Sequence, residues 1–521
     1  MRGDGGRITR PFGNFRVFVA VAFVVVAIGF LTIGFAPPAQ ALPSFARQTG
    51  QPCGTCHTDF PALTPYGRRF KLLGYTTGGG EYRTTPFSSQ AGRDARAEYE
   101  KMQGYVKALP SSTTPEADKE YVPPISMMAI VGLTHTQAPQ VAPTDPYKPN
   151  DNTVLSPFSM FWGGAITDNI GAFAQVTYNA VGFNAVGAPP SSSPGDQFSH
   201  HTWGWDNIDV RYANTARIGP LDIVYGITAN NNPAVQDLWN TTPAWSMPQS
   251  GSTLAPTPGA ATMIEGGLSG HVVGVGGYTM INDLLYLELT GYKSLAFNTL
   301  NALGQDPFDV GPLSGIAPYW RVALEPHWGR NTFMVGTFGM YSAVSPWLNS
   351  GLPNWSTATS PLSDKFTDIG VDTQYQYQGD NWWLTLRGSY IREYQQLDAT
   401  FAAPVLGSLN PTNQLNSMKL QASFAYGADN RVVFTGNYFN VWGTADAVVY
   451  GMDAFGNALT PNSNGWLAEI SYIPYGASKA AGWPWFNTRI SLQYIYYNKF
   501  NGTSIGARDN NTLFLNAWFA M

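Results

Sequence analysis

Charge is scarce in this chain: only 12% of its 521 residues are Asp, Glu, Lys or Arg, against about 25% in an ordinary soluble domain. Long apolar runs are scarce too, and past Phe35 none approaches the roughly 20 residues a membrane-spanning helix requires. Cysteine is confined to Cys53 and Cys56, so no second pair exists to complete a four-ligand zinc site. Net charge is −5, which implies no basic surface for nucleic acid. There is no P-loop, nucleophile elbow or zinc signature, so hydrolytic chemistry has no support. Aromatics, by contrast, reach 14%, with 16 Trp and 27 Tyr, and Gly numbers 55. Few charges, many aromatics and no helical span suit a transmembrane β-barrel, whose alternating strands look only mildly hydrophobic. A secreted array of soluble β-sandwiches is the competing class, and the strand pattern decides between them.

At the N-terminus, Arg2, Arg7, Arg10 and Arg16 precede an apolar run from Val17 to Phe35, followed by Ala36-Pro37-Pro38-Ala39-Gln40-Ala41. A basic region, an apolar region and a small-x-small site define a secretory signal, with cleavage expected after Ala41. The run is long for a signal, which leaves a retained anchor as the alternative. Ala39-x-Ala41 and the helix-breaking prolines favour cleavage.

The two cysteines fall in Cys53-Gly54-Thr55-Cys56-His57. This C-x-x-C-H spacing is the attachment pattern of a c-type haem. Each thiol adds to one vinyl group, and the adjacent imidazole becomes the proximal ligand of the iron. Cys53 and Cys56 are therefore expected to hold one c-type haem, with His57 on the metal. A lone Cys-x-x-Cys disulfide would have no need of His57. The sixth ligand stays open. Met102 lies closest after the motif, Met127 and Met128 follow, and the remaining histidines are His135, His200, His201, His271 and His327. Arg68, Arg69 and Lys71 suit haem propionates, a lumen lining or a solvated basic face.

From Ile125 onward the chain reads as sixteen strand-like segments: 125–136, 153–167, 170–181, 203–215, 221–232, 271–281, 284–295, 319–329, 331–344, 366–379, 381–395, 414–428, 431–444, 464–476, 487–502 and 510–520. Tight polar turns such as Asp168-Asn169, Asn282-Asp283, Gly329-Arg330-Asn331, Gly379-Asp380-Asn381 and Asp429-Asn430 join several pairs. Long connections are expected to alternate strictly with these turns, the longest running from Pro233 to Gly270. Short turns on one side and long loops on the other are the sidedness of an outer-membrane barrel. Successive side chains face opposite sides of a sheet. Trp382, Leu384, Leu386 and Tyr390 thus share a lipid face, and Arg387, Lys419 and Arg489 are expected inside, with Glu288, Arg321, Glu325 and Glu469 on polar faces. The last residues, 516–521, place Trp518 and Phe519 near the end without a terminal aromatic.

The expected fold is all-β: an antiparallel transmembrane barrel of about sixteen strands behind a small N-terminal monohaem cytochrome c unit. Residues 1–41 form the signal, 42–120 the cytochrome unit and its linker, and 121–521 the barrel. Such a small unit depends on its haem for a core.

Pro43-Ser-Phe-Ala-Arg-Gln-Thr-Gly50 runs into the Cys53–His57 motif. Phe60-Pro61, Tyr66-Gly67-Arg68-x-Phe70-Lys71 and Gly74-Tyr75 follow, and the segment 230–245 lies farther on. In these stretches the chain resembles the fused outer-membrane cytochrome–porins of iron-oxidising bacteria. The resemblance implies a monohaem domain plugging or abutting its own barrel. It also implies an oxidoreductase that moves electrons from extracellular Fe(II) to a periplasmic c-type cytochrome or other carrier, in contact with outer-membrane lipid. The other class is a haem-bearing porin or transporter for small solutes. An open lumen with solute flux marks the second, a blocked lumen with redox turnover the first.

Overall fold

The computed structural model describes residues 43–49, 51–59, 61–76, 124–140, 147–178, 203–242, 254–347, 359–402, 407–427, 431–451, 459–475 and 484–521. The expected signal, the linker with Met102, His200, His201, Phe60, the 243–245 end of the family-like segment and the Asp429-Asn430 turn lie outside the described residues.

The N-terminal unit comprises α1 (Pro43–Thr49), α2 (Cys53–Cys56), a hairpin of β1 (His57–Asp59) and β2 (Ala62–Leu63), and α3 (Pro65–Leu72). Sixteen antiparallel strands then close into a barrel. They are β3 (Ile125–Thr136), β4 (Asn152–Ala165), β5 (Ile170–Tyr178), β6 (Trp203–Ile218), β7 (Leu221–Asn230), β8 (Val272–Ile281), β9 (Leu285–Ser294), β10 (Ala317–Leu324) with its continuation β11 (His327–Trp328), β12 (Asn331–Val344), β13 (Asp364–Gln378), β14 (Trp382–Gln396), β15 (Thr412–Tyr426), β16 (Val432–Gly443), β17 (Ser463–Tyr472), β18 (Asn487–Lys499) and β19 (Thr512–Ala520). β10 and β11 count as one strand because both pair with β12 across the Glu325-Pro326 break. β19 pairs with β3, so no edge is left open, as a sheet in lipid requires.

Alternation sorts the side chains as the period of two demands. Trp382, Leu386, Leu420, Phe424, Leu492 and Tyr494 point outward and are exposed, while Thr385, Arg387, Ser389, Ser423, Arg489 and Gln493 are buried in the lumen. Glu288, Arg321, Glu325 and Glu469 are buried there too, and Lys419 reaches inward to Glu265 at 2.5 Å. The short turns use left-handed backbone where the sequence offers it: Asn282 and Asp283 have φ of 54° and 52°, the pairing a tight hairpin requires. The lipid-facing band predicts recovery with the outer membrane and a heat-modifiable gel mobility. A protein that is soluble without detergent would contradict this.

Loop alternation fails once. The connection from Ile473 to Phe486, on the short-turn side, is longer than a turn. Its chain is used: the Arg47 guanidinium of α1 sits 4.6 Å above the Trp485 ring, and Phe486 stacks on Phe519. Trp485 thus contacts the N-terminal unit.

The described parts of the longest loop, 231–242 and 254–271, fold into the barrel. Leu238 and Trp239 join Leu72 and Leu73 of the N-terminal unit in a cluster with Tyr278, Tyr286 and Met334. Farther along, Ile264 and Leu268 pack with Tyr292, Tyr319 and Phe338. Around them, the Ile264 and Met263 amides donate to the Asp368 and Glu393 carboxylates at 2.8 and 2.6 Å. The N-terminal unit therefore builds its core against the lumen wall and this loop.

Candidate functional site

Each residue of the N-terminal pattern has a local job. Thr64 caps α3, its hydroxyl accepting from the Gly67 amide at 3.1 Å, with Pro65 at the first helical position, where a missing N–H costs nothing. The Thr64 amide donates to the Cys56 carbonyl at 2.9 Å and its hydroxyl to the Thr55 carbonyl, so α3 is tied to the cysteine turn. Gly67 lies so close that a Cβ would collide with the Cys56 carbonyl oxygen. At the other end of α3, the Tyr75 amide bonds to the Phe70 carbonyl and the Gly74 amide to that of Lys71, with Gly74 at φ 70°. This is a Schellman stop, and the accompanying Phe70–Tyr75 contact is the one it favours.

The stop aims Tyr75 across the lumen, where its hydroxyl donates to Asp209 at 2.6 Å. Arg68 forks onto Glu325, with Nε and Nη2 at 3.0 and 2.9 Å from its two oxygens, and also donates to Gln374 and Gln376. Arg69 pairs with Asp283 in a short turn. Lys71 donates to the Val235 and Asp237 carbonyls of the infolded loop. Ser44 and Gln48 of α1 bond Ser126 and the 163–165 backbone. Of the three expected roles for Arg68, Arg69 and Lys71, the structure realises the lumen contact. Because Glu325 is buried with Arg68, removing one partner costs about 3–5 kcal/mol. Arg68→Ala is expected to loosen the unit, read as faster protease cleavage within residues 43–76 while the barrel stays resistant.

Segment 231–242 packs against lumen-facing side chains of the wall. The Asp237 carboxylate accepts from the Trp239, Thr241 and Thr242 amides at 2.8–3.0 Å. Arg321, fully buried, pairs with Asp237 at 3.5 Å and with Asp372, its guanidinium 5.1 Å from the Trp239 ring and 5.0 Å from that of Phe338. The Trp239 indole donates to Glu325, the same carboxylate that Arg68 holds. Plug, loop and wall thus share one polar network.

Within this framework Cys53, Cys56 and His57 line one cavity of about 1450 Å³, counting the solvent at its mouth. Its walls are mostly apolar: Phe45, Phe70, Phe161, Phe173, Met128 and Trp518. Cys53 is buried and Cys56 half-buried. Burial pulls His57 down to about 4, against backbone hydrogen bonds at Pro61 and Ala62 that act the other way, and pushes the Cys56 thiol up to about 12. Both groups are uncharged at neutral pH, and a neutral imidazole has the lone pair a metal needs. Among the described residues no three His, Cys, Asp or Glu side chains could together hold a bare metal ion. Two thiols and an imidazole on one apolar cavity fit a large planar group with its own metal, anchored at its rim by the thiols.

Of the other expected candidates, His135 bonds Asp151, His271 the Ser269 and Asp306 backbone, and His327 Thr332. None lines the cavity. Asp237 and Trp239 were not singled out from the sequence as site residues, whereas Met128 stood among the candidate sixth ligands. The signal for Met128 is its even position on β3, shared with Ser126 and Ile130.

No protein-family model matches the chain, and no curated protein does. Solved structures to which it is similar include Pseudomonas putida OprB at high pH (TM-score 0.41, 10% identity, 76% of this chain and 93% of that one). Salmonella typhi OmpF in complex with daunomycin is another (0.39, 13%, 76% and 97%). A third is the outer membrane channel DcaP of Acinetobacter baumannii (0.39, 10%, 76% and 96%).

Proposed function

We propose that this protein is an outer-membrane electron conduit, in which a c-type haem at Cys53, Cys56 and His57 accepts electrons from an extracellular donor for periplasmic carriers. The observation that carries this reading is the apolar cavity in the lumen, lined by both thiols and by an imidazole that burial keeps neutral. A bound haem supplies a one-electron centre within an otherwise insulating membrane. Cys53 and Cys56 would hold its edge, and His57, with backbone hydrogen bonds at Pro61 and Ala62, would ligate its iron. The barrel excludes lipid, and the Arg68–Glu325–Trp239 network keeps the unit seated. Fe(II) as donor and a periplasmic c-type cytochrome or other carrier as acceptor follow from the family resemblance.

A second reading is a porin or transporter for small solutes. The barrel itself favours it, since sixteen strands enclose room for an aqueous channel and the loops have porin sidedness. The infolded 231–242 segment and the seated unit oppose free flux.

Intact-mass measurement tests the haem: the conduit reading expects the chain plus one haem. The apo mass, from cells that mature other c-type cytochromes, together with liposome swelling, would establish the porin instead.

A further inference from the structure

We infer that Met128 of the barrel wall supplies the sixth ligand to the haem iron, an inference that rests on the haem reading above. Met128 lines the same cavity as Cys53, Cys56 and His57 and is 3% exposed. Strand alternation faces it into the lumen. Its position relative to the haem motif is fixed, because α1 is anchored to its own strand: the Ser44 amide donates to Ser126 at 2.8 Å and Arg47 donates to the Ile125 carbonyl.

The cavity's other candidate donors are committed elsewhere. Lys71 gives its ammonium protons to two loop carbonyls. The Tyr75 hydroxyl is held by Asp209. Asp237 accepts three backbone amides and faces Arg321. Met127 also borders the cavity, yet it is 36% exposed on the outward face of β3. A thioether is a soft, neutral donor that iron in a c-type haem accepts, and a His/Met pair raises the potential relative to other axial sets. A raised potential suits a centre that takes electrons from a weak reductant. The consequence is architectural: one axial ligand comes from the plug and the other from the barrel, so only the docked unit has a complete iron site.

The test uses the purified, haem-loaded full chain in detergent, as wild type, Met128→Leu, Met128→His and Met127→Leu. Leu is close to isosteric with Met, and Met127→Leu controls for position on the strand. The ferric wild type is expected to show the weak near-infrared sulfur-to-iron charge-transfer band. Met128→Leu should lose it and lower the midpoint potential, Met127→Leu should keep both, and Met128→His should give a bis-imidazole spectrum. A covalent haem whose wild-type spectrum lacks the band, or whose band survives in Met128→Leu or Met128→His, would overturn the ligand assignment and leave the haem reading standing. Absence of covalent haem from the wild type would overturn both. Should Met128→Leu fail to insert, the wild-type band together with the Met128→His spectrum decides.

Discussion

His57→Ala is expected to abolish, or reduce by at least about tenfold, Fe(II)-driven haem reduction while the barrel still inserts. His57 takes no part in barrel pairing; its only strand partner is Leu63 in the small hairpin, and the sixteen-strand ladder closes without it. On the proposed reading the imidazole would instead set the axial field that tunes a bound haem iron. A haem kept by its two thioethers would remain bound yet mistuned, so covalent haem content should stay near the wild-type level while reduction fails. Heat-modifiable mobility verifies insertion, the intact mass reports haem, and stopped-flow absorbance reports reduction. A variant that inserts, keeps its haem and still reduces at the wild-type rate would contradict the assignment of His57.

Arg321→Met should open the lumen. Arg321 is fully buried between the Trp239 and Phe338 rings and neutralises Asp237 of the loop and Asp372 of the wall. Its removal leaves two carboxylates facing one another away from water, a loss of about 3–5 kcal/mol. That is a large share of the stability with which a short segment is held, so segment 231–242 should leave its seat. Lys71 would lose the carbonyls of Val235 and Asp237 with it. The expected result is little solute flux through the wild type in liposome swelling and large flux through the variant, with the barrel intact by gel mobility. Asp372→Asn, which keeps the hydrogen bonding and removes one charge, should have the smaller effect. Equal, large swelling of wild type and Arg321→Met would mean that the segment does not close the pore.

Much of the barrel could be read directly from residue pattern. β3 and β12 span 125–136 and 331–344 in the structure, the bounds that alternation alone indicates, because a one-residue slip would turn every Leu and Val of a strand into the lumen. Arg387 and Arg489 were assignable inward for the same reason. The 231–271 loop was not legible in this way. No period of two marks its apolar residues, yet Leu238, Trp239, Ile264 and Leu268 are almost fully buried. Their partners, such as Glu325, Arg321 and Tyr319, come from strands far along the chain, and no local period encodes such pairings. The long Ile473–Phe486 connection escaped for a related reason: its purpose, holding Arg47 over Trp485, lies in a segment more than four hundred residues earlier.

The N-terminal motif stands out in the sequence by another route. Cys53, Cys56 and His57 follow from spacing, and the structure adds why Gly67, Phe70, Gly74 and Tyr75 accompany them: close approach to Cys56, a cavity wall, a helix stop and a tether to Asp209. Sequence proximity pointed to Met102 as the nearest methionine, whereas lumen-facing alternation brings Met128 to the cavity.

The most direct measurement of the central claim is stopped-flow mixing of the purified, oxidised wild-type protein with Fe(II), followed at the haem absorbance. The conduit account predicts that the haem is reduced in a single phase whose rate rises with Fe(II) concentration. A haem that stays oxidised at saturating Fe(II), in a protein correctly inserted and loaded, would contradict it.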